Sequence, residues 1–214
     1  MEFWSATTFP VAPGWQRAYT VGPTRYPSFS WTFGDAVRSW PRARWEGTVR
    51  PRSLDEYLKN AHVPFTAFRH VAAFTAQREA ALSHVPGRCW AKTVFCFAGD
   101  EPIAAVVPAH LMVDLEQLRV AANAPTLRLA DEQELAEICP DCELGAVSPF
   151  TSRRSVRVFV DQSLVGEPEM VFNAGTHTDA ICLHYGDFAD LTHPVVGAIG
   201  TKVNARPPVV RFGM

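Results

Sequence analysis

The sequence predicts one mixed α/β domain, in which helices pack outside a mixed, partly closed sheet. Helix and strand patterns follow one another irregularly over residues 53–202. The crossovers between predicted strands are too short and irregular for a regular winding of parallel strands. The chain of 214 residues is 47% hydrophobic and 20% charged, which is enough to bury one good core.

The first half of this domain combines two helices with an extended segment and a hairpin. Ser53-Leu-Asp-Glu56 is a capping box, and it predicts a short helix that ends before Pro64. Three further elements follow from residue type: an extended segment at Phe65 to Phe68, a helix at Thr75 to Leu82, and a strand pair at Trp90 to Phe97 and Ile103 to Val107. The turn between these strands, Ala98 to Pro102, contains glycine and proline and indicates a hairpin.

The second half begins with two helices, each opened by an acidic residue suited to a helix N-terminus. Three short strands and a helical turn follow. The predicted helices are Asp114 to Ala122 and Asp131 to Ile138, the strands Ser155 to Val160, Glu169 to Phe172 and Ala180 to Leu183, and the turn Gly186 to Leu191.

Residues 1–52 differ from the rest of the chain. Five of the six tryptophans lie there with several prolines, and no helical or strand period emerges. Three interpretations stay open: a poorly ordered extension, a start codon assigned too far upstream, or an Arg/Trp arm that contacts RNA by charge and stacking. Residues 203–214 are interpreted as a C-terminal tail.

Charge is unevenly distributed along the chain. Residues 1–52 carry seven Arg against three acids, a charge of +4, so the remainder carries −6 to reach the total of −2. A mildly acidic domain disfavours general coating of DNA or RNA. No membrane-length apolar run and no secretory pattern is visible, and the five cysteines are scattered, so we expect a cytoplasmic protein with reduced thiols that binds no membrane.

The segment from Gly145 to Phe150 is the most informative motif. It reads Gly-Ala-Val-Ser-Pro-Phe and places Gly145, Ser148 and Pro149 within five residues. Glycine permits a positive φ or a close approach, while proline fixes its own φ and extends the residue before it. The pattern indicates a stiff turn whose free amides could hold a carbonyl oxygen or phosphate, although an ordinary surface turn has the same composition.

Lys92 stands in an otherwise apolar strand, on the same face as Trp90 and Val94. A buried ammonium needs a partner, a lowered pKa or an open cleft that receives an anion. The alternative is an edge-strand lysine whose stem covers the sheet while its ammonium reaches water.

Asn173 to Asp179 concentrates an amide, hydroxyls, an imidazole and a carboxylate in one tight loop. His177 could exchange a proton near neutral pH, or be a hydrogen-bonded surface group. Cys139-Pro140-Asp141-Cys142 has no second C-x-x-C for zinc and follows a helix rather than opening one, so metal and redox use are both disfavoured. No P-loop, G-x-G-x-x-G or G-x-S-x-G motif is present.

In their order and spacing, these pieces resemble the YbaK and prolyl-tRNA synthetase-associated family of aminoacyl-tRNA editing domains. The resemblance covers about Ser53 to Gly200. It rests on the segments that contain His70, Ala91-Lys92-Thr93, Val113-Asp114-Leu115, Pro140 to Phe150, Val160-Asp161 and Phe172 to His177.

The resemblance implies a YbaK-like, barrel-like mixed sheet over residues 53–202, and hydrolysis of the ester of a mischarged tRNA. Lys92 would contact the tRNA 3′ end, Gly145 to Pro149 would hold the terminal nucleotide and carbonyl, and a ribose hydroxyl would help to activate water. The expected catalytic residues are Lys92, Gly145, Ser148 and His177, and the expected substrate-binding residues are His70, Thr93, Ala146, Val147, Pro149, Asn173, Gly175 and Thr176. Asp161 is expected to be structural.

The sequence therefore predicts a trans-editing aminoacyl-tRNA deacylase that needs no metal or cofactor. Its expected partners are the 3′ CCA end of a mischarged tRNA and an aminoacyl-tRNA synthetase. The alternative is a non-catalytic module that binds an aminoacyl or nucleotide group, because a fold alone cannot exclude it.

Overall fold

A computed structural model describes residues 54–150 and 156–202. The predictions for residues 1–52, for the Ser53 cap, for the strand start at Ser155 and for the tail at 203–214 lie outside these residues. Six helices occur in the described part of the chain: α1 Leu54–Asn60, α2 Ala76–Leu82, α3 Leu115–Ala121, α4 Glu132–Ile138, α5 Gln162–Val165 and α6 Tyr185–Thr192.

Three of these helices begin after a residue whose side chain caps them, and the sequence predicts that residue for α3 and α4. Thr75 accepts a hydrogen bond from an amide in the first turn of α2, and Asp114 does so for α3. Asp131 opens α4 in a reciprocal capping box with Glu134. Local side-chain capping of the otherwise unpaired amides therefore sets these boundaries.

Ten strands occur in the same residues. They are β1 Phe65–Arg69, β2 Ala91–Ala98, β3 Glu101–Pro108, β4 Leu111–Val113, β5 Leu127–Leu129, β6 Arg157–Asp161, β7 Glu169–Asn173, β8 Asp179–His184, β9 Val195–Gly197 and β10 Gly200–Lys202. The hairpin and the strands predicted after residue 155 are confirmed. The three-residue strands β4, β5, β9 and β10 and the short helix α5 were not predicted, because such short segments show no period.

The strands form three sheets with the orders β5-β2-β3-β6-β9, β1-β8-β7 and β10-β4. The largest is mixed, since β2 and β3 are antiparallel whereas β3 pairs in parallel with β6. Its order ends at β5 and β9, so this sheet does not close. The mixed α/β class is thus confirmed, but the partly closed, barrel-like sheet is not. Within residues 54–150 and 156–202, the backbones of the two larger sheets pair only at the isolated bridge from Trp90 to Val171.

The main core lies between the five-stranded and three-stranded sheets. Phe95 and Val106 from the former pack in one cluster with Met170, Phe172 and Ile181 from the latter. The opposite face of the five-stranded sheet packs against α3 through a second cluster. Both faces of β3 are therefore covered, which explains its continuous apolar run.

The two polar residues Lys92 and Thr93 lie on different faces of β2. Thr93 pairs with Val106, which belongs to the main core, whereas Lys92 pairs with Val107 from the second cluster. Directly opposed residues of an antiparallel pair share a face. Thr93 and Lys92 thus point to opposite sides of the sheet.

Candidate active site

A small polar recess forms where the second edge of β2 is uncovered. β5 pairs with β2 only at Cys96 to Ala98, which leaves the end of the strand near Lys92 with one paired edge. The recess has a volume of about 10 Å³, close to one water molecule. Its lining residues are Ala76, Glu79, Trp90, Ala91, Lys92, Thr93, Gly145, Val147 and Asn173.

Five of the predicted site residues therefore come together: Lys92, Thr93, Gly145, Val147 and Asn173. Lys92 and Thr93 lie on β2, Asn173 ends β7, and Gly145 and Val147 lie in the loop after α4. A larger open cavity of about 290 Å³ lies on the other side of Leu144 and Val147, lined by α4 and residues 139–144. Two buried side-chain atoms without a partner in the described residues, Thr93 Oγ1 and Asn173 Oδ1, belong to residues that line the small recess, so we place the site there.

Glu79 is the central residue of the recess, and the sequence analysis missed it. Its side chain is 2% exposed. Both carboxylate oxygens accept hydrogen bonds from Asn173 Nδ2 at 3.1 Å, and Oε1 lies 3.2 Å from His177 Nδ1. One signal was available for Glu79. It is a carboxylate next to buried Ala80, on the buried side of the short, alanine-rich helix α2.

Asn173 is oriented by this contact. Because carboxylate oxygens only accept, the NH₂ group of Asn173 must face Glu79, and Oδ1 points the other way. Among the described residues, the buried Oδ1 has no hydrogen-bond partner, and neither does the buried Thr93 Oγ1. Two unsatisfied polar atoms therefore belong to residues that line one recess, which is unusual for a buried site without a ligand.

His177 is held at both ring nitrogens. Nε2 lies 2.9 Å from the Leu144 carbonyl oxygen, and Nδ1 faces Glu79. Both partners are acceptors, so the protonated ring, which donates from both nitrogens, satisfies both contacts. Burial alone lowers the pKa of His177, but the hydrogen bonds to Glu79 and Leu144 and the negative charges of Glu79 and Glu143 outweigh it and raise the pKa above its ordinary value.

The loop that carries His177 is fixed against the segment before Gly145. The His177 amide donates to Glu143 Oε2 at 2.7 Å, and the Glu143 amide donates to the Gly175 carbonyl at 2.8 Å. Thr176 uses its hydroxyl within the loop, where it bonds Asp179. Gly175 and Thr176 shape this loop, while the exposed Phe74 ring packs edge-on against His177 at 5.4 Å.

Gly145 begins the turn with φ +88°, as expected for a position that favours glycine. An added Cβ would lie 3.4 Å from His177 Cε1. The Ala146 amide bonds Glu143, whereas the amides of Gly145 and Val147 have no hydrogen-bond partner within the described ranges. Two free amides thus belong to residues that line the recess.

The rest of this turn differs from the sequence prediction. Ala146, Val147, Ser148 and Pro149 are buried, and Ser148 has no exposed surface. The Ser148 hydroxyl accepts from the Phe150 amide at 3.2 Å. The hydroxyl of Ser148, a residue that the resemblance implies to be catalytic, is therefore a buried group that bonds the turn.

Lys92 points away from Thr93. Its Nζ lies 3.7 Å from Met112 Sδ, and no carboxylate pairs with it among the described residues. Burial lowers the pKa of Lys92. Lys92 is thus a partly buried cation at the border of the recess, and its role in the site stays a prediction.

His70 lies beside the recess, in edge-on contact with Trp90 at 5.3 Å between ring centroids. His70 Nδ1 lies 3.1 Å from the Val71 carbonyl, so Nδ1 carries the proton and Nε2 is an acceptor. Nε2 is buried, and no residue in the described part of the chain bonds it.

Asp161 is structural, as predicted. It caps α5 through the Ser163 amide and accepts from the Gly200 amide at 2.7 Å. Among the described residues, no three His, Cys, Asp or Glu side chains are grouped so as to hold a metal ion. Nor does any described helix have the length and apolar content to cross a membrane.

A comparison with protein-family models matches residues 70–191, more than half of the chain, to the aminoacyl-tRNA editing domain. The chain belongs to this editing-domain family. The resemblance predicted from the sequence is thereby confirmed. A search of curated proteins finds no match.

Three solved structures share the fold of this chain. A protein described as a candidate trans-editing enzyme for prolyl-tRNA synthetase is 19% identical with a TM-score of 0.62, and the match covers 72% of this chain and 99% of that one. A protein described only as hypothetical is also 19% identical, with a TM-score of 0.64 and coverage of 69% and 99%. A computationally designed epitope scaffold is 17% identical, with a TM-score of 0.60 and coverage of 68% and 93%.

Proposed function

We propose that this chain is a trans-editing deacylase that hydrolyses the ester between a wrongly attached amino acid and its tRNA. One observation carries the proposal: in a member of the editing-domain family, the free amides of Gly145 and Val147 and the unsatisfied oxygens of Thr93 and Asn173 belong to residues around one recess. Unpaired donors and acceptors at one place suit a ligand that has both a carbonyl oxygen and donor groups.

In the proposed reaction, water adds to the ester carbonyl carbon, and the amides of Gly145 and Val147 stabilise the oxyanion. The bond from that carbon to the ribose oxygen then breaks. One proton of the water ends on the ribose oxygen, and the products are a free amino acid and an uncharged tRNA 3′ end. Donors placed in advance at a developing oxyanion are worth about 2.7–4 kcal/mol each.

Water is activated in this proposal by a neighbouring ribose hydroxyl, as the family resemblance implies. The contacts of His177 support that choice over a histidine base, because both of its ring nitrogens already face acceptor oxygens of the protein, Glu79 Oε1 and the Leu144 carbonyl. Ser148 has no exposed surface and is not proposed as a nucleophile. We propose that both residues position the loop. His177 bonds the Leu144 carbonyl, and the Ser148 hydroxyl accepts from the Phe150 amide at the end of the turn.

The tRNA end would be held outside the recess. Lys92, which has no carboxylate partner in the described residues, would contact a phosphate of the terminal nucleotides. The exposed face of Phe74, next to His177, is available to stack on the terminal adenine. A synthetase partner and a cytoplasmic location remain predictions from the sequence.

The test is a panel of mischarged tRNAs incubated with the wild-type protein, with Lys92→Met and with Lys202→Met. Lys202 is an exposed lysine on β10 and controls for the loss of any positive charge. At least one ester should be hydrolysed well above the buffer rate. Lys92→Met should raise KM about tenfold with little change in kcat, and should lower the salt slope by about 0.7, the value for one phosphate contact.

If no ester is hydrolysed faster than in buffer while charged tRNA still binds, the chain is a binding module and the deacylase proposal is wrong. If Lys92→Met and Lys202→Met behave alike, Lys92 does not contact phosphate.

A further inference from the structure

The recess at the edge of β2 separates hydrogen-bond donors from acceptors. Gly145 and Val147 offer amide donors from the loop. Asn173 Oδ1 can only accept, and Thr93 Oγ1 can accept as well as donate. The ester carbonyl needs only donors, so the acceptors must serve another group of the ligand.

Glu79 fixes the acceptor side of the recess. The carboxylate takes both of its Asn173 hydrogen bonds from Nδ2, and rotating the Asn173 amide would bring Oδ1 against two carboxylate oxygens. Asn173 Oδ1 is thereby held away from Glu79. Asn173 is only 6% exposed, so its free oxygen is a desolvated acceptor whose lack of a partner has a cost in free energy.

The size and charge of the recess select the partner of these oxygens. A volume of about 10 Å³ accommodates a group the size of one water molecule and excludes an amino acid side chain. Glu79 lines the recess and adds negative charge, while the Lys92 ammonium is turned to Met112 on the other face of β2. A small cationic donor fits this environment.

We propose that Thr93 Oγ1 and Asn173 Oδ1 bind the α-ammonium group of the aminoacyl ester, with Glu79 as the positioning residue that orients Asn173. This inference rests on the proposed deacylase function and specifies its substrate class: esters of amino acids with a free α-amine. An N-acylated aminoacyl-tRNA has no ammonium to place in the recess, and its acyl group is too large for it.

The experiment compares one tRNA, charged with an amino acid that the protein removes, in its free-amine and N-acetylated forms. The wild-type protein should hydrolyse the free-amine ester at least tenfold faster in kcat/KM. Thr93→Val should lower kcat/KM for the free-amine ester about tenfold and leave the N-acetyl rate unchanged. Valine has nearly the shape of threonine, and the lost hydroxyl has no partner in the described structure, so the fold should tolerate it.

Thr201→Val is the matched control, because Thr201 is exposed on β10 and distant in sequence from the recess residues. It should change neither rate. A second measurement uses a non-hydrolysable 3′-amide analogue of aminoacyl-adenosine, free or N-acetylated, in calorimetric binding. The free amine should bind at least tenfold tighter, and Thr93→Val should abolish that preference.

Equal hydrolysis of the two esters, or an equal loss on both in Thr93→Val, overturns the ammonium assignment and indicates that the recess holds a water molecule; the deacylase function would survive. If neither ester is hydrolysed but the free-amine analogue binds more tightly, the deacylase proposal fails and the ammonium assignment stands. If the analogues bind equally and neither ester reacts, both proposals are wrong.

Discussion

The two ends of β2 handle polar groups in opposite ways. At the end near Thr93, the polar groups are buried, and Thr93 and Asn173 each retain an atom without a partner in the described residues. At the end near Phe97, the charged groups are more exposed and paired. Arg128 makes two hydrogen bonds to Glu134 and lies 4.7 Å above the Phe97 ring, and Arg157 binds both oxygens of Glu101.

This difference distinguishes a region that can bind a ligand from a region that only supports the fold. Exposed ion pairs contribute little free energy each and leave nothing for a ligand to satisfy. Buried unsatisfied atoms reduce the stability of the empty protein and can recover that free energy when a ligand binds. The comparison predicts that matched substitutions at the two ends of β2 differ in size and in kind.

The largest difference is expected between the losses of unfolding free energy in Glu79→Gln and in Glu101→Gln. Glutamine at 79 removes the charge that faces His177 and presents an NH₂ group to Asn173 Nδ2 or to His177. Breaking a buried, hydrogen-bonded pair costs about 3 kcal/mol of unfolding free energy, whereas the exposed pair of Glu101 is worth about 1 kcal/mol or less. Urea unfolding of both variants measures this, and equal losses would contradict the comparison.

The next largest difference is expected between the kcat values of Gly145→Ala and Gly99→Ala. Both glycines have positive φ, +88° and +61°, so both variants should lose about 1 kcal/mol of stability. Gly99 has no atom near an added Cβ, while Gly145 faces His177. A displaced loop should lower kcat by 100-fold or more at position 145, since one oxyanion donor is worth about 2.7–4 kcal/mol, and should leave kcat unchanged at position 99.

The smallest effect is the pH dependence of the His177 contact. The pKa of His177 is raised in the folded protein, so its stabilisation is complete below the unfolded value of about 6.5 and is lost as the pH rises through the higher folded value. The unfolding free energy should therefore fall as the pH rises above about 6.5. The measurement is the unfolding free energy against pH for the wild-type protein and for His177→Gln. The difference between the two curves isolates His177 from the other histidines. If this difference does not change with pH, His177 makes no charge contact with Glu79.

Much of the fold was predictable because its signals are local. Helix caps at Thr75, Asp114 and Asp131, and the Gly99 hairpin, depend on residues a few positions apart. The division into three sheets was not predictable. It depends on which strand edges meet, and three-residue strands leave no trace in the sequence.

The site shows the same division. Gly145, Lys92, Thr93 and Asn173 could be singled out from residue type and order, and they do line one recess. Glu79 could not be paired with Asn173 and His177 from the sequence, because 94 and 98 positions separate them. Likewise, the burial of Ser148 could not be predicted, since it comes from packing rather than from the turn itself.

The sequence by itself determined the family, the mixed α/β class and the loop with a positive φ at Gly145, because each depends on residue types at short or fixed spacing. Only the tertiary structure decided which polar atoms have partners. The carboxylate of Glu79 fixes the amide of Asn173 and contacts Nδ1 of His177 across long sequence distances, while Asn173 Oδ1 and Thr93 Oγ1 have no partner in the described residues. Hydrogen-bond satisfaction is a property of three-dimensional proximity, so no local pattern could encode it.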